Sequence, residues 1–165
     1  STTSASSLLK PLVAAELPSG STHRHAPVRV IHMAVAAQTV QPVPARTDAA
    51  MLRVGGMTKL TSIDFPGRLA AVLYCQGCPW RCGYCHNPGL LDAAAPPALP
   101  WARARAFLES RRGLLDGVVF SGGEPTLQTA LPAALEAVRA LGLQTALHTG
   151  AMYPDRLAAL LPRLD

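Results

Sequence analysis

From residue 51 onward the apolar positions switch between two rhythms. Leu69 to Tyr74 is a short unbroken apolar run, bounded by Pro66-Gly67 before it and by cysteines after it, which predicts a buried strand. After a Pro- and Ala-rich stretch, Trp101, Ala104 and Leu108 recur at helical spacing, and Gly113 follows as a stop. Gly117 to Phe120 predicts a second strand. Thr129 is placed to cap a helix whose inner face is Leu131, Ala134, Leu135 and Val138, with Gly142 just past its end. Gln144 to Thr149 predicts a third strand, and Pro154 opens a third helix with Leu157, Leu160, Leu161 and Leu164 on one face. Three such repeats with short connections predict right-handed crossovers and an α/β fold of three parallel βα units, with helices on the sheet's outer face.

Residues 1–50 lack this order. They are rich in Ser, Thr, Ala, Pro and Val, carry only Glu16 and Asp48 as acids, and show no amphipathic period. This predicts a disordered extension or a targeting segment, separate from a domain over 51–165. His23, His25 and His32 fall in it and are expected to be solvated.

Composition narrows the function classes. The 165 residues suffice for one domain with a core, and 49% apolar content is ordinary for a soluble protein. The 15 basic against 10 acidic residues are spread along the chain, and Arg111-Arg112 is the sole adjacent basic pair, so no nucleic-acid surface is expected. No apolar run approaches the roughly 20 residues of a membrane span, so no membrane partner is expected either. All four cysteines lie between Cys75 and Cys85. A disulfide framework would spread them to close long loops, whereas this clustering suits a metal or redox group in a reducing, cytoplasmic setting.

The predicted topology gathers the unusual residues. The cysteines follow the first predicted strand, Ser121-Gly122-Gly123-Glu124-Pro125 follows the second, and His148-Thr149-Gly150 closes the third. Ligands of parallel α/β folds bind at the carboxyl ends of strands, so one site is expected from these segments. Cys78, Cys82 and Cys85, spaced Cys-x3-Cys-x2-Cys, let a short loop wrap a cubic [4Fe-4S] cluster with three thiolates and leave one iron open. Cys75 is either the fourth ligand or a buried free thiol, the latter being favoured. Two other metal readings remain. Cys82-Gly-Tyr-Cys85-His86 matches a haem-attachment signature but leaves Cys78 idle. A four-thiolate zinc site usually draws on two Cys-x2-Cys pairs well apart in sequence.

Cys78-Pro-Trp-Arg-Cys82-Gly-Tyr-Cys85-His-Asn-Pro, followed by Ser121-Gly-Gly-Glu-Pro125, resembles the radical S-adenosylmethionine (SAM) superfamily. Ile63-Asp64-Phe65-Pro66-Gly67, Gln76-Gly77-Cys78-Pro79-Trp80 and His86-Asn87-Pro88 narrow the resemblance to the activating proteins of anaerobic ribonucleoside-triphosphate reductase. It covers Met51 to Asp165. The resemblance implies the N-terminal half of a partial (β/α)6 barrel, a [4Fe-4S] cluster on Cys78, Cys82 and Cys85, and S-adenosylmethionine chelated at the open iron. It implies reductive cleavage of that cofactor to methionine and a 5'-deoxyadenosyl radical, which takes a hydrogen from a glycine of a partner glycyl radical enzyme. An electron donor such as flavodoxin or ferredoxin is implied with it. By similarity Gly122, Gly123 and Glu124 would meet the methionine end of the cofactor, Tyr84 would lie near the adenine, and Cys85 and His86 would complete its contacts.

Three features depart from the family pattern. His148-Thr149-Gly150 stands where several activating enzymes carry Asp-Thr-Asn-Gly, there is no second cysteine-rich insert, and the chain reaches Asp165 where a fourth strand would begin. The third predicted strand is therefore expected to be an unpaired edge, and the chain alone is expected to hold a cluster poorly. Two other functions remain open: a radical SAM enzyme acting on a small molecule or peptide, and a non-catalytic metal-binding fragment.

Overall fold

A computed structural model describes residues 48–165; the expectations for residues 1–47 lie outside the described residues. The elements are β1 (Val54–Thr61), β2 (Ala70–Cys75), α1 (Trp101–Ser110), β3 (Gly117–Gly122), α2 (Leu131–Arg139), β4 (Gln144–Leu147) and α3 (Pro154–Leu160). They form one sheet in the order β1-β2-β3-β4. β2, β3 and β4 are parallel, with Leu73 beside Phe120 and Phe120 beside Leu147. β1 runs antiparallel to β2, pairing Val54 with Cys75 and Thr61 with Ala70. The sheet is therefore mixed rather than wholly parallel.

β1 escapes prediction because it has neither strand rhythm. Its sequence, Val-Gly-Gly-Met-Thr-Lys-Leu-Thr, buries only its two ends, and its pairing is interrupted by register shifts. An edge strand solvated along much of its length needs no continuous apolar run.

The two faces of the sheet are unequal. Ala71, Leu73, Cys75, Val118 and Phe120 point toward the helices, where they pack with Trp101, Ala104 and Leu108 of α1, Leu131, Ala134, Leu135 and Val138 of α2, and Leu160 of α3. Period-two alternation sends Ala70, Val72 and Val119 to the other face, and there Phe65, from the connection between β1 and β2, packs on them with Tyr74 and Ala146. Burying each large side chain of the helix-side core contributes about 1.5–3 kcal/mol.

Two helix expectations need correction. Thr129 does not cap α2; the cap position is Ala130, with no side-chain hydrogen bond, and Pro132 sits in the first turn. Proline needs no donor partner there, which removes one of the groups a cap would serve. α3 ends at Leu160, the one fully buried leucine of its expected face; Leu161 is 59% exposed because Pro162 turns the chain into a 3-10 turn over Leu161–Arg163. Leu157 is half-buried, and Leu164 packs partly on the core.

β4 is not bare along its outer side at Thr145. The Asp165 N–H donates to the Thr145 carbonyl at 2.9 Å and the Asp165 carboxylate accepts from the Thr145 N–H at 3.0 Å. Arg139 of α2 holds the same carboxylate at 2.6 Å. The described structure begins before Met51: Ala49–Met51 form a 3-10 turn capped by the Asp48 side chain, and Ala49 packs against the core. No helix among the described residues is long and apolar enough to cross a membrane.

Candidate metal and cofactor site

The loop leaving β2 carries three half-buried cysteines, Cys78, Cys82 and Cys85, all free thiols. Its two arms are tied together at the base. Gly77 N–H donates to Leu90 O at 2.8 Å and Cys78 N–H to Leu91 O at 3.1 Å, while the Gln76 side-chain amide donates to Gly89 O at 3.2 Å and Asp92 O at 2.8 Å. Within the loop, Cys85 N–H donates to Cys82 O at 3.1 Å, a turn that brings the last two cysteines together. Arg81 closes the first half by donating to Cys78 O at 2.8 Å and Trp80 O at 3.0 Å.

The segment after β3 packs backbone against backbone on the start of this loop. Gly122 adopts φ 118, and a Cβ there would strike the Cys75 N–H. A Cβ on Gly123 would strike Gly77 O and lie 3.1 Å from the Cys78 Cβ. Glycine is therefore required at both positions by close backbone approach, Gly122 at Cys75 and Gly123 at Gly77 and Cys78. Gly123 N–H donates to Cys75 O at 3.0 Å and Glu124 N–H to Gly77 O at 2.9 Å, fixing the register of the two segments.

Glu124 joins the third segment. It is 3% exposed. One carboxylate oxygen accepts from Thr126 N–H at 2.9 Å, from Thr149 Oγ1 at 2.7 Å and from the Thr126 hydroxyl; the other accepts from Gly150 N–H at 2.9 Å. A buried carboxylate is tolerated only with such a complement of donors. The ends of β2, β3 and β4 thus converge, as parallel α/β topology requires.

The remaining candidates are placed differently. Tyr84 is 80% exposed and His86 is exposed, both on the outer part of the loop. His148 contacts Asp64 O through Nε2 at 3.0 Å, linking the end of β4 to the β1–β2 connection. Cys75 faces the helix-side core and is fully buried. Burial, reinforced by the negative charge of Glu124, pushes its thiol up from 9.0 to about 12. A thiol held protonated is a poor metal ligand, since ligation needs the thiolate.

These residues fit a cubic iron-sulfur cluster. The donor set is three accessible thiols on one loop, and Cys78 lines a cavity of about 440 Å³ with Arg81, Leu91, Asp92 and Leu127. A cubic cluster takes its thiolates at separate corners, as three cysteines spaced along one loop can supply. Sequence reasoning gave no role to the glutamines at the base: Gln76 was visible only as part of a motif and Gln128 not at all, although a glutamine at the end of an apolar strand, as Gln76 is, buries its amide and is a signal in itself.

Residues 72–165 match the radical SAM superfamily. Over 124 residues, 66% of this chain, it is 29% identical to a protein of Methanocaldococcus jannaschii named as a glycyl-radical enzyme activating enzyme. It is 36% identical over 97 residues, 55% of this chain, to the pyruvate formate-lyase-activating enzyme of Streptococcus mutans. It is 33% identical over 123 residues, 70% of this chain, to that of Clostridium pasteurianum. The chain spans half or less of the length of these relatives, 44%, 36% and 50% respectively. The crystal structure of QueE from Escherichia coli superposes with a TM-score of 0.47 at 20% identity, over 61% of this chain and 53% of that one.

Proposed function

The chain belongs to the radical SAM superfamily, and from that premise we propose that it works as an activating enzyme for a glycyl radical protein, such as an anaerobic ribonucleotide reductase. The observation that carries its cluster chemistry is the three-thiol loop packed on the segment after β3, with Cys78 against Gly123. The relatives named as activating enzymes support the partner class.

In this reading Cys78, Cys82 and Cys85 hold a [4Fe-4S] cluster, and S-adenosylmethionine binds beside it. Together these groups supply one-electron cleavage of a carbon-sulfur bond. The protein's part is placement. Gly122 lets the segment after β3 pack on the Cys75 backbone, and Gly123 lets it pack on Gly77 and against the Cys78 Cβ. Glu124 acts through the backbone it orders, because both of its carboxylate oxygens are taken up by Thr126, Thr149 and Gly150. Cys85 and His86 offer further polar contacts to the cofactor, and Tyr84, exposed on the loop, offers a face on which its adenine would stack. The buried Cys75 is left as a free thiol.

The parallel β2-β3-β4 units with helices on one face support a chain that forms the first half of a partial (β/α)6 barrel. Residues 1–50 are proposed as an extension or targeting segment ahead of this domain, joined to it by the turn that begins at Asp48 and Ala49. A reducing compartment suits the free thiols, so the cytoplasm is the proposed setting, with flavodoxin or ferredoxin as electron donor.

The test is anaerobic reconstitution of the chain with iron and sulfide, followed by reductant, S-adenosylmethionine and a glycyl radical reductase. A protein-based radical signal on the reductase is the expected result. Formation of 5'-deoxyadenosine with no radical on the reductase would sink the activase reading and favour a small-molecule or peptide substrate. Failure to take up iron would sink the cluster reading itself.

A further inference from the structure

The base of the cysteine loop is held by two glutamine side chains to which no role has been given, Gln76 at the head of the Gln76-Gly77-Cys78-Pro79-Trp80 segment and Gln128 after the second segment. Gln76 is 5% exposed. Its side-chain amide donates to Gly89 O and Asp92 O, and the next two residues donate from their backbone to Leu90 O and Leu91 O. Four successive carbonyls of the returning arm are therefore satisfied from three successive residues, Gln76, Gly77 and Cys78. This arm has no strand partner of its own. Without the Gln76 amide, the outer two of the four carbonyls would lose these donors.

Gln128 locks the other side of the same residue. It stands just after the 3-10 turn Pro125–Leu127 that follows Glu124. Its side-chain oxygen accepts from Arg53 N–H at 2.8 Å, and its side-chain nitrogen donates to Arg53 O at 2.7 Å and to Gln76 O at 3.0 Å. Gln76 N–H also donates to Arg53 O at 2.8 Å. The amide of Gln128 thus pairs with Arg53 as another backbone would, and in doing so it ties the segment after β3 to the root of the cysteine loop.

We propose that Gln76 and Gln128 are positioning residues that form the cysteine loop before any cluster arrives, fixing Cys78 against Gly123 and holding the mouth of the loop at one width. This rests on the reading of Cys78, Cys82 and Cys85 as cluster ligands. A preformed loop presents its thiols without paying the ordering cost at binding, so loosening it accelerates cluster loss even with all three cysteines intact.

The test compares Gln76→Met and Gln128→Met with Val138→Ala, a stability-lowering change in the helix layer remote from the loop. In the apoprotein, hydrogen exchange at the Gly77 and Cys78 amides should speed up about tenfold in both glutamine variants, the effect of losing one or two part-buried hydrogen bonds, with β3 amides unaffected beyond the Val138→Ala level. In the reconstituted protein, iron release to a chelator should be faster by about the same factor. Gln76→Glu retains the shape but sets a carboxylate against the Gly89 and Asp92 carbonyls in place of the donors, so its exchange and iron release should be at least as fast as in Gln76→Met. Loop exchange and iron release in the glutamine variants no faster than in Val138→Ala would overturn the proposal while leaving the cluster reading intact. A wild-type chain that takes up no iron would instead overturn the cluster reading, and this proposal with it.

Discussion

Cys75 and Cys78 are three residues apart, yet one ends a strand inside an apolar layer and the other begins a loop held by hydrogen bonds. β2 is fixed by area: Ala71, Leu73 and Cys75 are buried against three helices, and no single polar partner decides their positions. The loop from Gln76 to Asp92 buries little and is fixed by named donors and acceptors: Gln76 on Gly89 and Asp92, Gly77 on Leu90, Cys78 on Leu91, and Arg81 on Cys78 and Trp80. Stability should therefore reside in the first region and metal chemistry in the second, with little exchange between them.

The sharpest break of that comparison is at the cysteines themselves. Cys78→Ala, Cys82→Ala or Cys85→Ala should each abolish cluster uptake, measured as iron per chain after anaerobic reconstitution, while changing apoprotein stability little because all three thiols are half-buried. Cys75→Ala should keep the iron content of the wild-type chain, at most about four irons, the content of one cubic cluster. Loss of the cluster on Cys75→Ala would make it a ligand and remove the open iron on which cofactor binding depends.

The converse change is Leu135→Ala in α2, at a fully buried side chain of the helix-side core. Denaturant titration should show a loss of about 2–5 kcal/mol. Below its unfolding transition the variant should still take up iron like wild type. If it lost iron in parallel with stability, the two regions would be a single cooperative unit.

Glu124 sits on the boundary and should show both effects at a smaller scale. Glu124→Gln preserves the shape but turns one acceptor into a donor, so either the Gly150 N–H or the Thr126 and Thr149 donors lose their partner. The expected cost is about 1–3 kcal/mol. Because the carboxylate orders the segment beside Cys78, a fall in S-adenosylmethionine affinity should accompany it. An affinity change with no stability change would assign the carboxylate a direct cofactor contact instead.

The two regions also differed in how much of them could be read from sequence. β2, β3 and α2 declare themselves through apolar runs and helical spacing, because burial by area leaves a periodic trace. β1 does not, since its two glycines and its solvated middle leave no rhythm. The end of α3 was misplaced for a related reason: four leucines at helical spacing outvoted Pro162, which ends the buried face at Leu160. In the loop, spacing alone marks the three cysteines, and the glycines mark where backbones approach. The hydrogen-bonding partners of Gln76, Gln128 and Glu124 are 13 to 75 residues away in the chain for most of their bonds, so no local pattern points to them. The Phe65 segment is similar: its motif was visible, but its packing across the second face of the sheet depends on β1 running antiparallel.

An effect absent at neutral pH tests burial at Cys75. Its thiol has an ordinary value of 9.0 and is pushed up to about 12 in the folded protein, by burial first and by the charge of Glu124 second. Below pH 9 both folded and unfolded chains keep the proton, and the residue makes no pH-dependent contribution. As pH rises from 9 toward 12 the unfolded chain releases the proton while the folded chain retains it, so unfolding is favoured by about 1.4 kcal/mol per pH unit. Stability of the apoprotein should therefore fall across that window. Cys75→Ala lacks the thiol but leaves the tyrosines, lysines and remaining cysteines in place, so the difference between the two curves isolates the residue. Wild type should lose stability more steeply than Cys75→Ala above pH 9, and its Cys75 should resist alkylation at pH 8 while Cys82 and Cys85 react. Parallel pH curves, or alkylation of Cys75 as fast as that of the loop cysteines, would place its thiol in solvent-accessible surroundings and erase the distinction between strand end and loop.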